Sequence, residues 1–545
     1  MTQVLQENPL LLLFVVAAIG YPLGRISFRG ASLGVAAVLF AGLGVGAFDP
    51  NLKLPEVVYQ LGLVLFVYTV GLSSGGSFLS SLKHKGIGYN LLVLGVLVTA
   101  ASIAAAAHFL FNVSPAHTAG IFAGSLTNTP ALAAVLEYVT THASGESSKL
   151  LSEPVVGYSL TYPFGVVGMM LAIMLFEKLF AIDYAKEAER VNDPAATGQR
   201  LVSRTIKVTK EEVAGKRLHD LAHGQGWDVV FSRIKRNGTL LVARGDSRVE
   251  IGDLVTAVGT REQMGTLTSV LGETSDLRIE LDRSQLDYRR IFVSNPRVAG
   301  HSLRELDLPQ QFGAVVTRVR RGDVELLPSG KTVLELGDRV RVLTNRSNME
   351  AVTSFFGDSY RALSEMDFLT FGLGLMAGLL LGLLHIPLPG GVTIKLGIAG
   401  GPLLVSLALG ALKRTGPLVW TLPYSVNLTL RQIGLVFFLA GVGTRYGHAF
   451  FSTLREGQGM SILLTGAVVT FAAASLTLLA GYKLLKIPAG LLIGVLSGLQ
   501  TQPALLAFSC DRTRGDLPNV GYAVVYPLTI VAKIVLAQVL AALLM

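Results

Sequence analysis

Ser125-Leu126-Thr127-Asn128-Thr129-Pro130 interrupts an apolar stretch that otherwise runs from about residue 115 to 139. A second interruption, Gln500-Thr501-Gln502-Pro503, breaks the stretch from about 487 to 509. Both continue as Pro-Ala-Leu, at Pro130-Ala131-Leu132 and Pro503-Ala504-Leu505. Polar residues and a proline inside an apolar run free backbone N–H and C=O groups. Lipid cannot satisfy them, so such backbone is tolerated only where it is buried in protein or lines a cavity. The two stretches read as broken membrane segments that belong together.

Uninterrupted apolar runs surround them. They fall at about 9–25, 31–48, 56–79, 87–111 and 154–180, and again at about 366–386, 394–412, 424–450, 458–482 and 519–544. Most are long enough to span a bilayer, or nearly so. The two sets repeat in order. Gln60-Leu-Gly-Leu-Val-Leu-Phe66 returns as Gln432-Ile-Gly-Leu-Val-Phe-Phe438, and Val156-Gly157-Tyr158 with Tyr162-Pro163 returns as Val520-Gly521-Tyr522 with Tyr526-Pro527. Each half has five spans and one broken segment, which is either a re-entrant hairpin or a discontinuous crossing helix. If the broken segments are hairpins and the first residue is outside, Arg25, Arg29, Lys83, Lys85, Lys178, Lys413, Arg414, Lys483, Lys486, Arg512 and Arg514 fall inside, and Lys53, Lys149, Lys395, Arg445 and Arg455 outside. That agrees with the positive-inside bias, so the hairpin is the preferred reading. An odd number of spans inverts the second copy, and inverted repeats with broken helices are an architecture of secondary transporters.

The composition fits this division. Of 545 residues, 51% are hydrophobic and only 15% charged, whereas a soluble protein averages about 25%. Residues 181–365 hold 28 of the 46 Lys and Arg and 26 of the 37 Asp and Glu, so the middle of the chain reads as soluble. That block is nearly balanced in charge, and the net charge of +9 is not a nucleic-acid signal. No Lys or Arg precedes Arg25, so no basic leader region is expected at the start. The one cysteine, Cys510, excludes an internal disulfide and a cysteine-based metal site.

The soluble block is itself duplicated at an offset of 85 residues, with Val213-Ala214-Gly215 matching Val298-Ala299-Gly300, Arg233 and Arg236 matching Arg318 and Arg321, and Gly252-Asp253 matching Gly337-Asp338. Each copy alternates short β-rich runs (228–234 and 254–258; 314–319 and 339–343) with one helix. The domains expected are a membrane half at 1–180, small α+β domains at 200–275 and 276–362, and a second membrane half at 363–545. His219, His223 and His301 read as solvated. No catalytic constellation, metal spacing or phosphate loop appears, so neither an enzyme nor a cofactor is expected.

The candidate substrate site is where the broken segments meet. Ser125, Thr127, Asn128, Thr129, Gln500, Thr501 and Gln502 supply uncharged polar groups there, and Pro130 and Pro503 break the segments. Tyr158, Tyr162, Tyr522 and Tyr526 stand at turn-like spacing on the repeated last span. Lys533 lies deep in the final span, whereas its counterpart in the first half is Met169. An ionisable residue inside a membrane segment is a functional candidate by default. Arg431 carries less weight, because it can reach the inner surface, and Arg445 and His448 read as an outer-edge loop. No Asp or Glu falls in mid-span, which argues against a cation or proton antiporter and for an organic anion.

The Gly124–Leu132 segment, the two membrane halves and the paired Val-Ala-Gly-[Lys/His]-x-Leu domains resemble the aspartate:alanine exchanger family, which carries two central TrkA C-terminal (RCK-C) domains. The resemblance covers essentially the whole chain. It implies a bacterial inner-membrane antiporter for small carboxylates such as aspartate, alanine, glutamate or succinate. It further implies an elevator-type mechanism, a homodimer, cytoplasmic soluble domains with both termini outside, and a regulatory small ligand at those domains. The competing readings are an RCK-regulated ion channel or cation-transport subunit, and a membrane receptor. The first lacks a Thr-Val-Gly-Tyr-Gly-type filter and acidic rings.

Overall fold

The computed structural model describes residues 2–26, 33–81, 86–142, 148–184, 187, 201–224, 227–322, 324–361, 365–387, 393–395, 397–455, 459–515 and 517–545. Arg29, Lys83 and Lys85 lie outside the described residues. The chain forms two compact units. One holds Met1–Thr197, Phe371–Leu412 and Leu428–Met545, and the other Gly198–Thr370 and Lys413–Asn427.

The first unit is helical. Its first half comprises α1 (Pro9–Arg25), α2 (Ala37–Phe48), α3 (Glu56–Ser81), α4 (Ile87–Phe111), α5 (Pro115–Ser125), α6 (Thr129–His142) and α7 (Ser148–Phe180). The second repeats the series as α8 (Phe368–Leu383), α9 (Gly397–Leu412), α10 (Tyr424–Arg455), α11 (Gly459–Leu479), α12 (Ala489–Gln500), α13 (Pro503–Thr513) and α14 (Leu517–Leu544). Among the described residues six helices are long and apolar enough to cross a membrane, namely α3, α4, α7, α10, α11 and α14. The other four expected spans are shorter apolar helices, with α1 at 17 residues, α2 at 12, and α8 and α9 at 16 each. The expected loop at Arg445 and His448 is instead part of α10, which continues to Arg455. There the half-buried Arg445 pairs with Glu56 at 3.6 Å and lies over the Tyr59 ring.

The hairpin reading of the broken segments holds. Ser497 Oγ of α12 and Ser509 Oγ of α13 are 3.0 Å apart. A continuous helix would separate residues twelve positions apart by about 18 Å. Thr513, at the end of α13, also comes back to Gly490 at the start of α12. In the first half, α7 starts beside the start of α5, where the Ser114 hydroxyl donates to Glu153. From there α5 and α7 run side by side in one direction, with Gly120 against Pro154 and Gly165 against Ser125. For α7 to begin at the face from which α5 entered, α6 has to return to that face.

The two hairpins enter from opposite faces. The helix α11 runs in the same direction as α7, since Gly466 abuts Thr161, Gly168 abuts Thr470, and the Tyr482 ring packs on Phe176 and Phe180. At the far end Glu187, just past α7, accepts hydrogen bonds from Tyr482 Oη at 2.9 Å and from the first amide of α12, Ala489, at 2.6 Å. So α5–α6 enters where α7 begins, and α12–α13 where α7 ends. Each first arm has 11 or 12 residues, a rise of about 16–18 Å, or roughly half of a bilayer core about 30 Å thick. Repeat-equivalent glycines mark the axis between the halves, because Gly62 of α3 meets Gly434 of α10 so closely that a Cβ on either would strike the other helix's backbone.

Among the described residues the second unit holds, besides a two-stranded sheet of Arg414–Thr415 and Leu418–Val419, two larger antiparallel sheets. One has the order β3-β2-β4-β1-β5 and the other β6-β9-β7-β8. Their strands are β1 (Val202–Val208), β2 (Val230–Arg236), β3 (Thr239–Val242), β4 (Leu254–Gly259), β5 (Gly272–Thr274), β6 (Leu286–Phe292), β7 (Val315–Arg321), β8 (Val324–Leu326) and β9 (Arg339–Asn345). The orders match under the offset of 85, as do the bulges in β2 and β7. Each copy has more helix than the sequence suggested. Arg261–Leu271 and Met349–Phe356 are amphipathic helices packed on the sheets, the first with a Thr260/Gln263 capping box. Arg236 bridges Asp253 and Glu250, and Arg321 bridges Asp338 and Glu335 in the same way. Burial holds the Asp338 carboxyl above its ordinary range even beside the Arg321 guanidinium. The expected tight turns are present, with Gly252 at φ +90 and Gly337 at φ +89. His219 is exposed, and His301 pairs with Glu305 at 3.2 Å.

Candidate substrate-binding site

The two hairpin tips are built alike. In each, an apolar first arm stops, one threonine takes a left-handed conformation, and a second arm starts at a proline. The threonines are Thr127 at φ +49 and Thr501 at φ +56. A β-branched residue is unfavourable there, so the surroundings have to impose it. Thr127 Oγ1 donates to the Gln500 carbonyl oxygen at 2.6 Å, and Thr501 Oγ1 donates to the same oxygen at 2.7 Å. Both threonines are thereby tied to one acceptor. Pro130 and Pro503 stand in the first turns of α6 and α13, where a missing N–H costs nothing.

The tips touch through repeat-equivalent residues. Thr127 meets Gln500, and Asn128 Nδ2 donates to Thr501 Oγ1 at 3.4 Å. Each pair is 373 residues apart, which is the offset that aligns the two Pro-Ala-Leu motifs. Residues that contact their own counterparts lie on a two-fold axis, so the tips and the Gly62–Gly434 crossing mark the same symmetry. Gln500 clamps the first tip from the other side, with Nε2 donating to the carbonyl oxygens of Ser125 at 2.9 Å and Gly165 at 2.8 Å. Thr470 of α11 donates to the Ser125 carbonyl at 3.1 Å. Ser125, Asn128 and Gln500 are almost wholly buried. Gln500 Oε1 and Ser125 Oγ are buried without a hydrogen-bond partner among the described residues.

Lys533 of α14 reaches this junction. Its ammonium donates to the Leu126 carbonyl oxygen at 2.7 Å and to Thr501 Oγ1 at 3.3 Å. The side chain is 0% exposed. Both partners are neutral oxygens, and among the described residues no Asp or Glu pairs with it. An ammonium has three donors, so one is left for another acceptor.

The four tyrosines divide into two pairs. Tyr158 Oη is 2.9 Å from Thr129 Oγ1, and Tyr162 Oη accepts from Gln502 Nε2 at 3.1 Å. The first pair therefore closes on both tips. Tyr522 and Tyr526 stack on each other with ring centres 4.8 Å apart. The structure thus joins Ser125, Thr127, Asn128, Gln500, Thr501 and Lys533 in one hydrogen-bonded set. It places Thr129 and Gln502 of the same tips on Tyr158 and Tyr162, and leaves the second tyrosine pair without a hydrogen bond to either tip among the described residues. Arg431 donates to Ser73 Oγ of α3 at 2.5 Å.

The hairpin ends are not equivalent as anion sites. Asn128 Oδ1 accepts the Ala131 amide at 2.8 Å and so caps α6. Among the described residues no side chain caps α13, so its positive end lacks the side-chain oxygen that α6 has. The asparagine cap is legible in the sequence as Asn before Thr-Pro. Two carboxylates that serve other helix starts were not. Glu137 of α6 accepts the amides of Ile398 at 2.5 Å and Ala399 at 3.0 Å at the start of α9, and Glu187 does the same for α12. Their partners are about 260 and 300 residues away in sequence, so no local signal exists.

Comparison with known proteins agrees with this architecture. A family model described as a predicted permease membrane region, that of the aspartate–alanine exchangers, matches residues 12–178 and 370–542, one stretch in each half. A TrkA-C domain model matches residues 288–357, the second sheet domain. An uncharacterized transporter of Geobacter sulfurreducens is 56% identical over 100% of both chains, and one of Symbiobacterium thermophilum is 52% identical, again over 100% of both. One from Corynebacterium diphtheriae is 43% identical over 98% of each chain. The GsuK RCK domain structure, with 11% identity and a TM-score of 0.16 over 30% of this chain and 65% of that one, is too distant to bear on the fold. With a matched segment in each half and full-length relatives above half identity, this chain belongs to the aspartate–alanine exchanger family of multi-pass membrane transporters.

Proposed function

We propose that the protein is an antiporter that exchanges small carboxylates, such as aspartate, alanine, glutamate or succinate, by alternating access across a bacterial inner membrane. The observation that carries this reading is Lys533, a fully buried ammonium with neutral partners and a free donor at the meeting point of two inverted hairpins. A buried cation without an acidic partner is costly unless an anion joins it. A substrate carboxylate would supply that anion. It would sit between the Lys533 ammonium and the uncapped start of α13, with Thr501, Gln502 and Tyr162 around it.

An elevator motion fits the grouping of helices. Glycine-lined crossings join α2, α3, α9 and α10 to one another, and others join α5 to α7 and α12 to α14. The helices α4–α7 and α11–α14 pack around the hairpins. On this reading the second group carries the substrate past the first, and the protein works as a homodimer with both termini outside and the sheet domains in the cytoplasm. The TrkA-C-type domains would bind a regulatory small ligand.

The test is counterflow in liposomes. Purified protein is reconstituted with internal aspartate, alanine, glutamate or succinate, and uptake of labelled aspartate and succinate is measured. Uptake that requires one internal substrate establishes exchange and names the pair. Equal flux with and without internal substrate would point to a channel or uniporter. Lys533→Met copies the residue of the other repeat. We expect it to insert normally and to lose about 10- to 100-fold of exchange, the worth of one charged hydrogen bond.

A further inference from the structure

We propose that the Lys533 ammonium is a tethered coupling cation. It takes the oxygen ligands at the broken end of α5 that a dissolved sodium ion would otherwise occupy, so exchange proceeds without any co-transported cation. This rests on the exchanger reading above.

The last carbonyls of a helix have no partner within it and form the negative end of its dipole. In carriers with broken helices, such half-helix ends and unwound carbonyls hold the coupling Na⁺ or H⁺, while the half-helix starts face the anionic substrate. Leu126 is the C-cap of α5, directly after Ser125. Its carbonyl oxygen, together with the Thr501 hydroxyl, forms the kind of neutral, hard-oxygen set that alkali cations prefer. That set is filled by Lys533 Nζ, at 2.7 and 3.3 Å.

Of the neighbouring tip oxygens, the two backbone carbonyls are already in use, whereas Gln500 Oε1 and Ser125 Oγ have no hydrogen-bond partner among the described residues. The Ser125 carbonyl accepts from Gln500 and Thr470, and the Gln500 carbonyl accepts from Thr127 and Thr501. Among the described residues no cluster of His, Cys, Asp or Glu offers a metal another place. The corresponding position in the first repeat is the buried Met169, so the junction receives one fixed charge and not two.

A tether changes the transport cycle. A dissolved ion leaves with its substrate, and the empty carrier returns uncharged. A lysine cannot leave. Without substrate the carrier would have to move a net charge across a medium where charge is expensive. With a substrate carboxylate paired to it the ammonium is no longer uncompensated, so movement is favoured only with substrate bound, and exchange follows.

Two measurements on the full-length protein test this. In the first, wild-type counterflow is compared in sodium, potassium and choline chloride. Equal rates are expected, and a tenfold fall in choline would overturn the proposal. In the second, the melting temperature of purified Lys533→Ala and Lys533→Met is followed as sodium or ethylammonium chloride replaces choline chloride. Lys533→Ala vacates the oxygens and leaves space, so it should be stabilised by about 2 °C or more at saturating cation. Wild type and Lys533→Met, whose space stays filled, should not respond. If Lys533→Ala is indifferent to every cation, the Leu126 and Thr501 oxygens are not a cation site and the proposal fails. The melting measurement needs no substrate. Absence of counterflow in all three salts would therefore sink the exchanger reading and leave the cation site to be judged by the melts.

Discussion

At the scale of single residues, Asn128 has the most tasks per atom. Its Oδ1 caps α6 while its Nδ2 donates to Thr501 across the axis. Asn128→Ala removes both contacts and leaves an uncapped helix start in a buried place. The cap alone is worth about 1 kcal/mol. We expect a lower melting temperature and impaired exchange. Asn128→Asp keeps the cap but adds a carboxylate beside Lys533, so its melting temperature should be restored and its exchange should not. Equal recovery of both would show that the residue only caps. Much of this was legible in the sequence, because Thr127, Asn128, Gln500 and Lys533 are polar residues where apolar ones are the rule. The tyrosines show the limit. Tyr158 and Tyr162 occupy the same motif as Tyr522 and Tyr526, yet only the first pair reaches the tips. A repeated motif fixes position along a helix and does not fix what the helix opposite presents.

At the scale of elements, the hairpins decide the architecture. The sequence showed where the apolar runs break and left two ways to continue. Breaks mark the end of one helix and the start of the next, and the direction of the second is set by contacts such as Ser497 with Ser509. A Ser497→Cys, Ser509→Cys pair in a Cys510→Ala background should form a disulfide under mild oxidation. A rise of about 18 Å between those positions in an unbroken helix would forbid it. The same distinction explains the extra helices of the sheet domains. The Thr260/Gln263 capping box was present in the sequence, but the strands beside it carried the stronger pattern.

At the scale of the whole molecule, the opposed hairpins require that equivalent loops face opposite sides of the membrane. Asn112, before α5, and Lys486, before α12, are both exposed. In right-side-out vesicles of the Cys510→Ala protein, an impermeant maleimide should label Asn112→Cys without permeabilisation and Lys486→Cys only after it. Labelling of both from one side would mean that the halves are parallel copies. The substrate pair is not legible at this scale, since the proposed site would admit any small carboxylate. What the halves do not share has its own consequence. If they were identical, turning the protein over would convert its outward-facing form into its inward-facing form, and the two would be degenerate in energy. Lys533 opposite Met169, and a capped α6 opposite an uncapped α13, lift that degeneracy. On the alternating-access reading, departures from the repeat would therefore set which side the resting carrier faces.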